Sequence, residues 1–298
     1  MIGKKGIILA GGNATRLRPA TQAFGKSLLP VSDKPMIFYP LSVLLQAGVR
    51  DILIVTAPRD TSLLQTLLGN GAQFGVNISY IEQPVARGIA DAFILAETFI
   101  AGDPACLILC DNFFHGEGLS EALAAGWKNA ASGATIFCHY VDNPSSYGVA
   151  DFDAAGQVKQ LVEKPVSFVS NWAVTGLYMY DSRACSFAKT LTPSKRGELE
   201  ITDLNSRYLE QKSLHVVKFD KKFSWFDLGT HPLILEAANL IAKLEDRDRI
   251  RIGCPYVTAH QAGYIDRQGL LAAASSLGAN PYAESLRRMG SAIGLDPK

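Results

Sequence analysis

The sequence predicts an α/β protein of three layers, with helices on both faces of a mainly parallel sheet, and three observations point to it. Apolar, β-branched runs alternate with helix-patterned stretches as far as residue 130. Beyond residue 133 the texture shifts to short strands separated by turn signals. Residues 251 to 298 read as helices alone.

Taken in order, GIILA (6 to 10) is a strand, Pro35 to Gly48 a helix, and DILIVT (51 to 56) a second strand. TSLLQTLLGNG is a helix stopped by glycine, ISYIE (78 to 82) a strand, GIADAFILAETFI a helix and CLILC (106 to 110) a buried strand. This is the rhythm of stacked βαβ units in a Rossmann-like fold. ATIFCHYV, GVADFD and QVKQLVEK follow as short strands, with a turn at Asp153 to Gly156, and form an antiparallel or mixed excursion. WAVTGLYMY (172 to 180) and LHVVKF (214 to 219) bracket two helices, and HPLILEAANLIAKLE (231 to 245) is a long amphipathic helix. With no internal repeat and no linker, the expected organisation is one domain over residues 1 to 250 and a small C-terminal helical appendage over 251 to 298.

At 48% hydrophobic and 19% charged, the chain can bury one large core. Its 29 basic and 28 acidic residues leave a formal charge of +1, so no global field favours nucleic acid or an anionic membrane. Any anion must be bound by local groups. Two lysines precede an apolar stretch far shorter than the ~20 residues of a membrane span, which makes a cytoplasmic, soluble protein the expectation. Five cysteines, odd in number and without C-x-x-C, argue against a disulfide framework and for reduced, buried thiols.

The segment Leu9 to Thr21 leaves the first strand and carries Gly11, Gly12, Thr15, Arg16 and Arg18. Its glycines let consecutive N–H groups converge on phosphate oxygens, and Arg16 adds a permanent planar cation. Alone, such a loop is more often plain turn chemistry. It is neither G-x-x-x-x-G-K-[ST] nor G-x-G-x-x-G, which weighs against a P-loop kinase and an NAD-dependent dehydrogenase. Lys26, in Phe-Gly-Lys-Ser, supplies a second cation. Asp111 closes the CLILC strand, at the carboxyl end where open α/β sheets place ligands, and Asp227 stands before the Gly229 turn. Singly, each aspartate reads as a turn or cap residue; together they suit Mg²⁺, which keeps several waters and bridges phosphate oxygens. Gln83, just past ISYIE, has an acceptor and two donors for a pyrimidine edge, with the Gly88 backbone nearby. Glu163 and Lys164 end a strand, so alternation sends them to opposite faces unless a turn at Pro165 re-aims one. Arg196, at a helix entrance, reads equally well as a surface cation.

The run G-G-x-x-T-R-L-x-P-x-T, followed by K-x-L-L-P-V and D-K-P-M-I-x-Y-P-L, resembles the bacterial glucose-1-phosphate thymidylyltransferases. Gln83-Pro84, Asp111-Asn112, Tyr147-Gly148-Val149, Glu163-Lys164-Pro165, Arg196 to Asp203 and Trp225 to His231 extend the resemblance, in order and spacing, over about residues 6 to 250. It implies transfer of dTMP from dTTP to glucose 1-phosphate, giving a nucleotide sugar and pyrophosphate. By the same resemblance Asp111 and Asp227 hold Mg²⁺ over the α-phosphate. Leu9, Gly11, Gly12, Thr15, Gln83, Gly88 and Asp111 bind the nucleotide, while Tyr147, Gly148, Glu163, Lys164, Val174 and Arg196 bind the sugar phosphate. Arg16, Lys26 and Lys164 join the two aspartates in catalysis, and the assembly is a homotetramer. Several positions depart from the family pattern: Ala14 and Cys110 replace glycines, Ser27 replaces glutamine after the lysine, Leu228 stands where threonine is common, and Phe114 to Gly118 differ in order. They open the alternatives of UTP or another sugar 1-phosphate. A catalytically silent nucleotide-sugar-binding relative is a further alternative, against which the retained Lys26, Asp111, Lys164 and Asp227 speak.

Overall fold

Strands run in chain order as β1 (Lys5–Ala10), β2 (Pro30–Val31), β3 (Lys34–Pro35), β4 (Asp51–Thr56), β5 (Asn77–Glu82), β6 (Ala105–Leu109) and β7 (Asn112–His115). They continue as β8 (Ala134–Tyr140), β9 (Gly148–Phe152), β10 (Val158–Glu163), β11 (Trp172–Tyr180), β12 (Leu214–Lys218) and β13 (Ser224–Asp227). The computed structural model describes residues 3–12 and 14–292; Asn13 of the glycine loop and residues 293–298, the end of the expected C-terminal appendage, lie outside it.

β1 is central because its two faces are both apolar: Ile8 packs into one buried cluster and Ile7 into another on the opposite side of the sheet. It pairs in parallel with β4 and β6, and β4 pairs in parallel with β5. This is the parallel half. β11 then joins β6 antiparallel and carries the excursion, pairing with β9 and β8; β10 flanks β9, and β12 lies parallel to β8. The mainly parallel sheet with an antiparallel excursion agrees with expectation. On one edge of β11, Ala173 pairs with β9 but Leu177 onward pairs with β6. Between them, at residues 174 to 176, the edge changes partner, and a cleft opens there.

The elements differ from expectation in three places. The first long helix starts at Phe38, because Lys34–Pro35 turns back to pair with Pro30–Val31. The helix expected over residues 88 to 100 is interrupted at Ala96, giving Asp91–Leu95 and Glu97–Ile100. A separate ladder of β7 against β13 was not legible at all. The final helices, Pro255–Gln261, Arg267–Ser276 and Pro281–Ala292, place Tyr256, Val257, Leu270 and Leu286 in the same apolar cluster as Ile8 and Leu44. No helix among the described residues is long and apolar enough to cross a membrane.

Candidate active site

The cleft has a volume of about 570 Å³ and gathers every site residue singled out from the sequence except Gly11 and Thr15. Gly11 packs against the Gln83 side chain instead, and Thr15 opens a 3-10 turn with Arg16 and Leu17.

One wall comes from the parallel half. β6 ends at Leu109, Cys110 continues the apolar core with its N–H bonded to the Leu9 carbonyl, and Asp111 emerges just beyond. β7 starts at once and pairs with β13 so that Asn112 stands opposite Asp227. The Leu228 N–H donates to the Asp111 carbonyl at 2.8 Å, which seats Asp227 beside Asp111. Lys26 Nζ donates to the Asp111 carboxylate, and Arg16 lies against Gly229 next to Asp227.

These charges tune one another. Burial alone would push the Asp111 carboxyl up, but the Lys26 ammonium outweighs it and holds the group below its ordinary value. Burial likewise opposes the Lys26 charge, yet Asp111 at its side raises the lysine. Asp227 is left without a full partner: burial first, then the Asp111 charge, push it up to about 6, against Lys26 and Arg16. Among the described residues no cluster of three or more His, Cys, Asp or Glu side chains is arranged to hold a metal; on this wall the carboxylates are these two, while Glu163, Glu198 and Glu200 line the cleft elsewhere. Two neighbouring acids, of which Asp227 lacks a full cationic partner, fit a divalent cation that retains most of its own waters.

One end of the cleft is organised by Gln83, which is only 4% exposed and donates from Nε2 to Asp91 at 2.8 Å. Arg87 holds the other oxygen of Asp91 at 2.8 Å. One Gln83 donor is therefore committed inside the protein. Gly88 takes a positive φ of 100° beside it. Ser27 and Cys110 are 0% and 1% exposed and lie outside the cleft lining, so neither departure from the family pattern reaches the cleft. Ala14 adopts a left-handed φ of 46°, the conformation that glycine tolerates best.

The opposite wall comes from the antiparallel excursion. Lys164 has a φ of 42° and its N–H donates to the Tyr147 carbonyl at 3.0 Å; this left-handed turn brings Glu163 and Lys164 into one cleft despite strand alternation. Thr202 Oγ1 donates to Glu163 at 2.6 Å. Arg196 lies in the loop before the helix Ile201–Glu210 rather than at its start, and forks onto Glu200 at 3.2 and 2.8 Å. The same guanidinium reaches Glu163 at 3.3 Å and Glu198 at 3.6 Å.

Asn112 joins the walls. Its side-chain carbonyl accepts from Gly176 N–H at 2.9 Å and from Trp225 Nε1 at 2.7 Å, while its amide donates to Asp111 at 3.3 Å. A Cβ on Gly176 would stand 2.6 Å from the Asn112 amide carbon, so a side chain there would break the junction. Sequence reasoning assigns no role to Asn112, Gly176, Glu200 or Thr202. A glycine inside a strand pattern does flag close approach, and Asn112 adjoins Asp111, but nothing local marks the other two.

The fold and this cleft define a transferase that brings two phosphorylated substrates together: the chain belongs to the nucleotidyl transferase family, which it matches over residues 5–244. Its relatives include glucose-1-phosphate thymidylyltransferases. It is 49% identical to that of Xanthomonas campestris pv. campestris (strain B100), covering 96% of this chain and 97% of the relative, and 47% identical to that of Neisseria meningitidis, covering 96% and 99%. A Bacillus anthracis protein assigned to the same activity and solved with sucrose superposes with a TM-score of 0.74 at 39% identity, covering 80% of this chain and 95% of that one. A UDP-glucose pyrophosphorylase solved with UDP-glucose superposes at 0.69 and 26%, covering 81% and 99%. Family membership gives the chain its reaction: transfer of a nucleoside monophosphate to a sugar 1-phosphate.

Proposed function

We propose that the chain transfers dTMP from dTTP to glucose 1-phosphate, with Mg²⁺ held by Asp111 and Asp227, and that residues 1–250 form the catalytic domain. The observation that carries this reading is the meeting, in one cleft, of the Lys26–Asp111–Asp227 group on one wall with Glu163, Lys164 and Arg196 on the other. A phosphate oxygen of the sugar phosphate attacks the α-phosphorus in line, a new P–O bond forms, and the bond to pyrophosphate breaks on the far side. No covalent enzyme intermediate is required. Arg16 and Lys26 balance the departing pyrophosphate, Lys164 and Arg196 hold the attacking phosphate, and Glu163 takes hydroxyls of the hexose. When bound, the metal supplies charge neutralisation at the α-phosphate. Gln83 and Gly88 read the pyrimidine, and Leu9, Gly11, Gly12 and Thr15 shape the loop around the nucleotide. Tyr147, Gly148 and Val174 bound the hexose.

A homotetramer is part of the proposal, supported by Leu235, a large apolar side chain left 63% exposed on the helix His231–Asp248. Five buried, unpaired cysteines support a reducing, cytoplasmic setting. Released pyrophosphate, measured for dTTP, UTP, CTP, ATP and GTP against several hexose 1-phosphates, tests the assignment. The expected maximum is dTTP with glucose 1-phosphate; a clear preference for UTP or another sugar replaces the substrate, and no release with any pair removes the reading. Light scattering that returns a monomer removes the tetramer.

A further inference from the structure

Lys26 is a half-buried cation of the cleft, its side chain 20% exposed, and the chain just before it is held from outside the cleft. Asp60 sits in the first turn of the helix Pro58–Leu68, is 0% exposed and does not line the cleft. Its Oδ1 accepts from Gly25 N–H at 2.8 Å, one residue before Lys26. Its Oδ2 is buried and accepts no hydrogen bond among the described residues; Arg59 Nε stands 3.7 Å away and Arg59 Nη1 reaches the Gln22 carbonyl at 3.5 Å. The two residues thus clasp both ends of the loop from Gln22 to Gly25. A Cβ on Gly25 would overlap the Asp60 carboxylate, which explains why a glycine precedes the lysine.

A buried carboxylate with one oxygen unpartnered is a costly way to join a helix to a loop. We propose that Asp60 is a positioning residue for the nucleotide phosphates: through Gly25 it fixes the loop that aims Lys26. After Lys26 the chain is held independently, by Ile37 N–H on the Ser27 carbonyl and Met36 N–H on the Leu29 carbonyl, both at 2.9 Å. Loss of Asp60 therefore releases only the side of the loop leading into Lys26, far from the sugar wall. This inference rests on the nucleotide role proposed for Lys26.

The test uses the intact chain, isothermal titration with dTTP, and steady-state pyrophosphate release. Asp60→Ala is expected to raise both the Kd and the KM for dTTP about tenfold and to leave the KM for glucose 1-phosphate within about twofold. Asp60→Asn, which keeps the acceptor for Gly25, is expected to restore dTTP binding to within about threefold of the wild type. Unchanged dTTP binding in a folded Asp60→Ala protein overturns the proposal, as does a fall in kcat with both KM values unchanged. If circular dichroism shows Asp60→Ala unfolded, Gly25→Ala, which forces the same two groups apart, is judged by the same outcomes. Lys26→Ala runs alongside: if it binds dTTP like the wild type, the nucleotide role of Lys26 is what fails.

Discussion

The two walls of the cleft carry similar charges in opposite physical states. On the parallel wall, Asp111, only 4% exposed just past the end of β6, and the half-buried Lys26 lock each other. On the antiparallel wall, Glu163 at the end of β10 and Lys164 and Arg196 on loops stand half-exposed, and Arg196 is shared among three carboxylates. Water screens the second group more than the first. Under the proposed function, fixed, drier charges suit the α-phosphate under attack and the departing pyrophosphate, where each is worth most; a wetter, shared network suits a sugar phosphate that must enter and leave.

The sharpest break in this contrast is Asp111→Asn. Turnover should fall by on the order of 10³-fold with the far-ultraviolet spectrum intact, because the change strips charge from the drier wall. Near-normal turnover would place the chemistry elsewhere.

Asp227 offers a second, opposite signature. It holds its proton up to about 6 when folded, against an ordinary 3.8. In metal-free protein its stabilising contribution is therefore complete below about pH 4 and is lost as pH rises through about 6. At pH 8, Asp227→Asn should make the metal-free protein more stable, by up to about 3 kcal/mol, while abolishing turnover. Thermal melts with and without chelator at pH 4 and pH 8 measure it; equal gains at both values would refute the cause given.

A milder effect is expected across the cleft. Arg196→Ala should raise the KM for glucose 1-phosphate about fivefold to tenfold and leave that for dTTP unchanged, as befits a partly exposed charge. Initial rates with each substrate varied in turn decide it. The smallest expected effect belongs to the glycine loop: Ala14→Gly should relieve the left-handed φ of 46° and add about 0.5 kcal/mol to stability, the loss of strain being offset in part by the freer unfolded chain. Denaturant unfolding would show it.

How far the sequence led follows the same division. β1, β4 and β11 were legible because each is a continuous apolar run buried on both faces, and for β4 and β11 even the ends agree. Asp111 was legible as the residue that closes such a run. The β7 and β13 ladder was not, since its partners lie far apart in the chain: the Trp225–Asn112 bond spans 113 residues. The left-handed turn at Lys164 was hidden because β-strand alternation takes no account of a single residue's φ. Asp60 was hidden too, as an acid in the first turn of an amphipathic helix looks like ordinary capping. Local periodicity reports burial; it does not report which distant backbone a side chain will meet.

The junction at Asn112 has one practical corollary. Of the three indoles in the chain, Trp225 alone borders the cleft, with its ring 5.1 Å from that of Tyr147, while Trp127 is bonded to the Ala47 carbonyl and Trp172 packs against Tyr140. Intrinsic fluorescence therefore has a built-in optical probe at the cleft, and quenching at its wavelength can follow substrate entry in real time without any label.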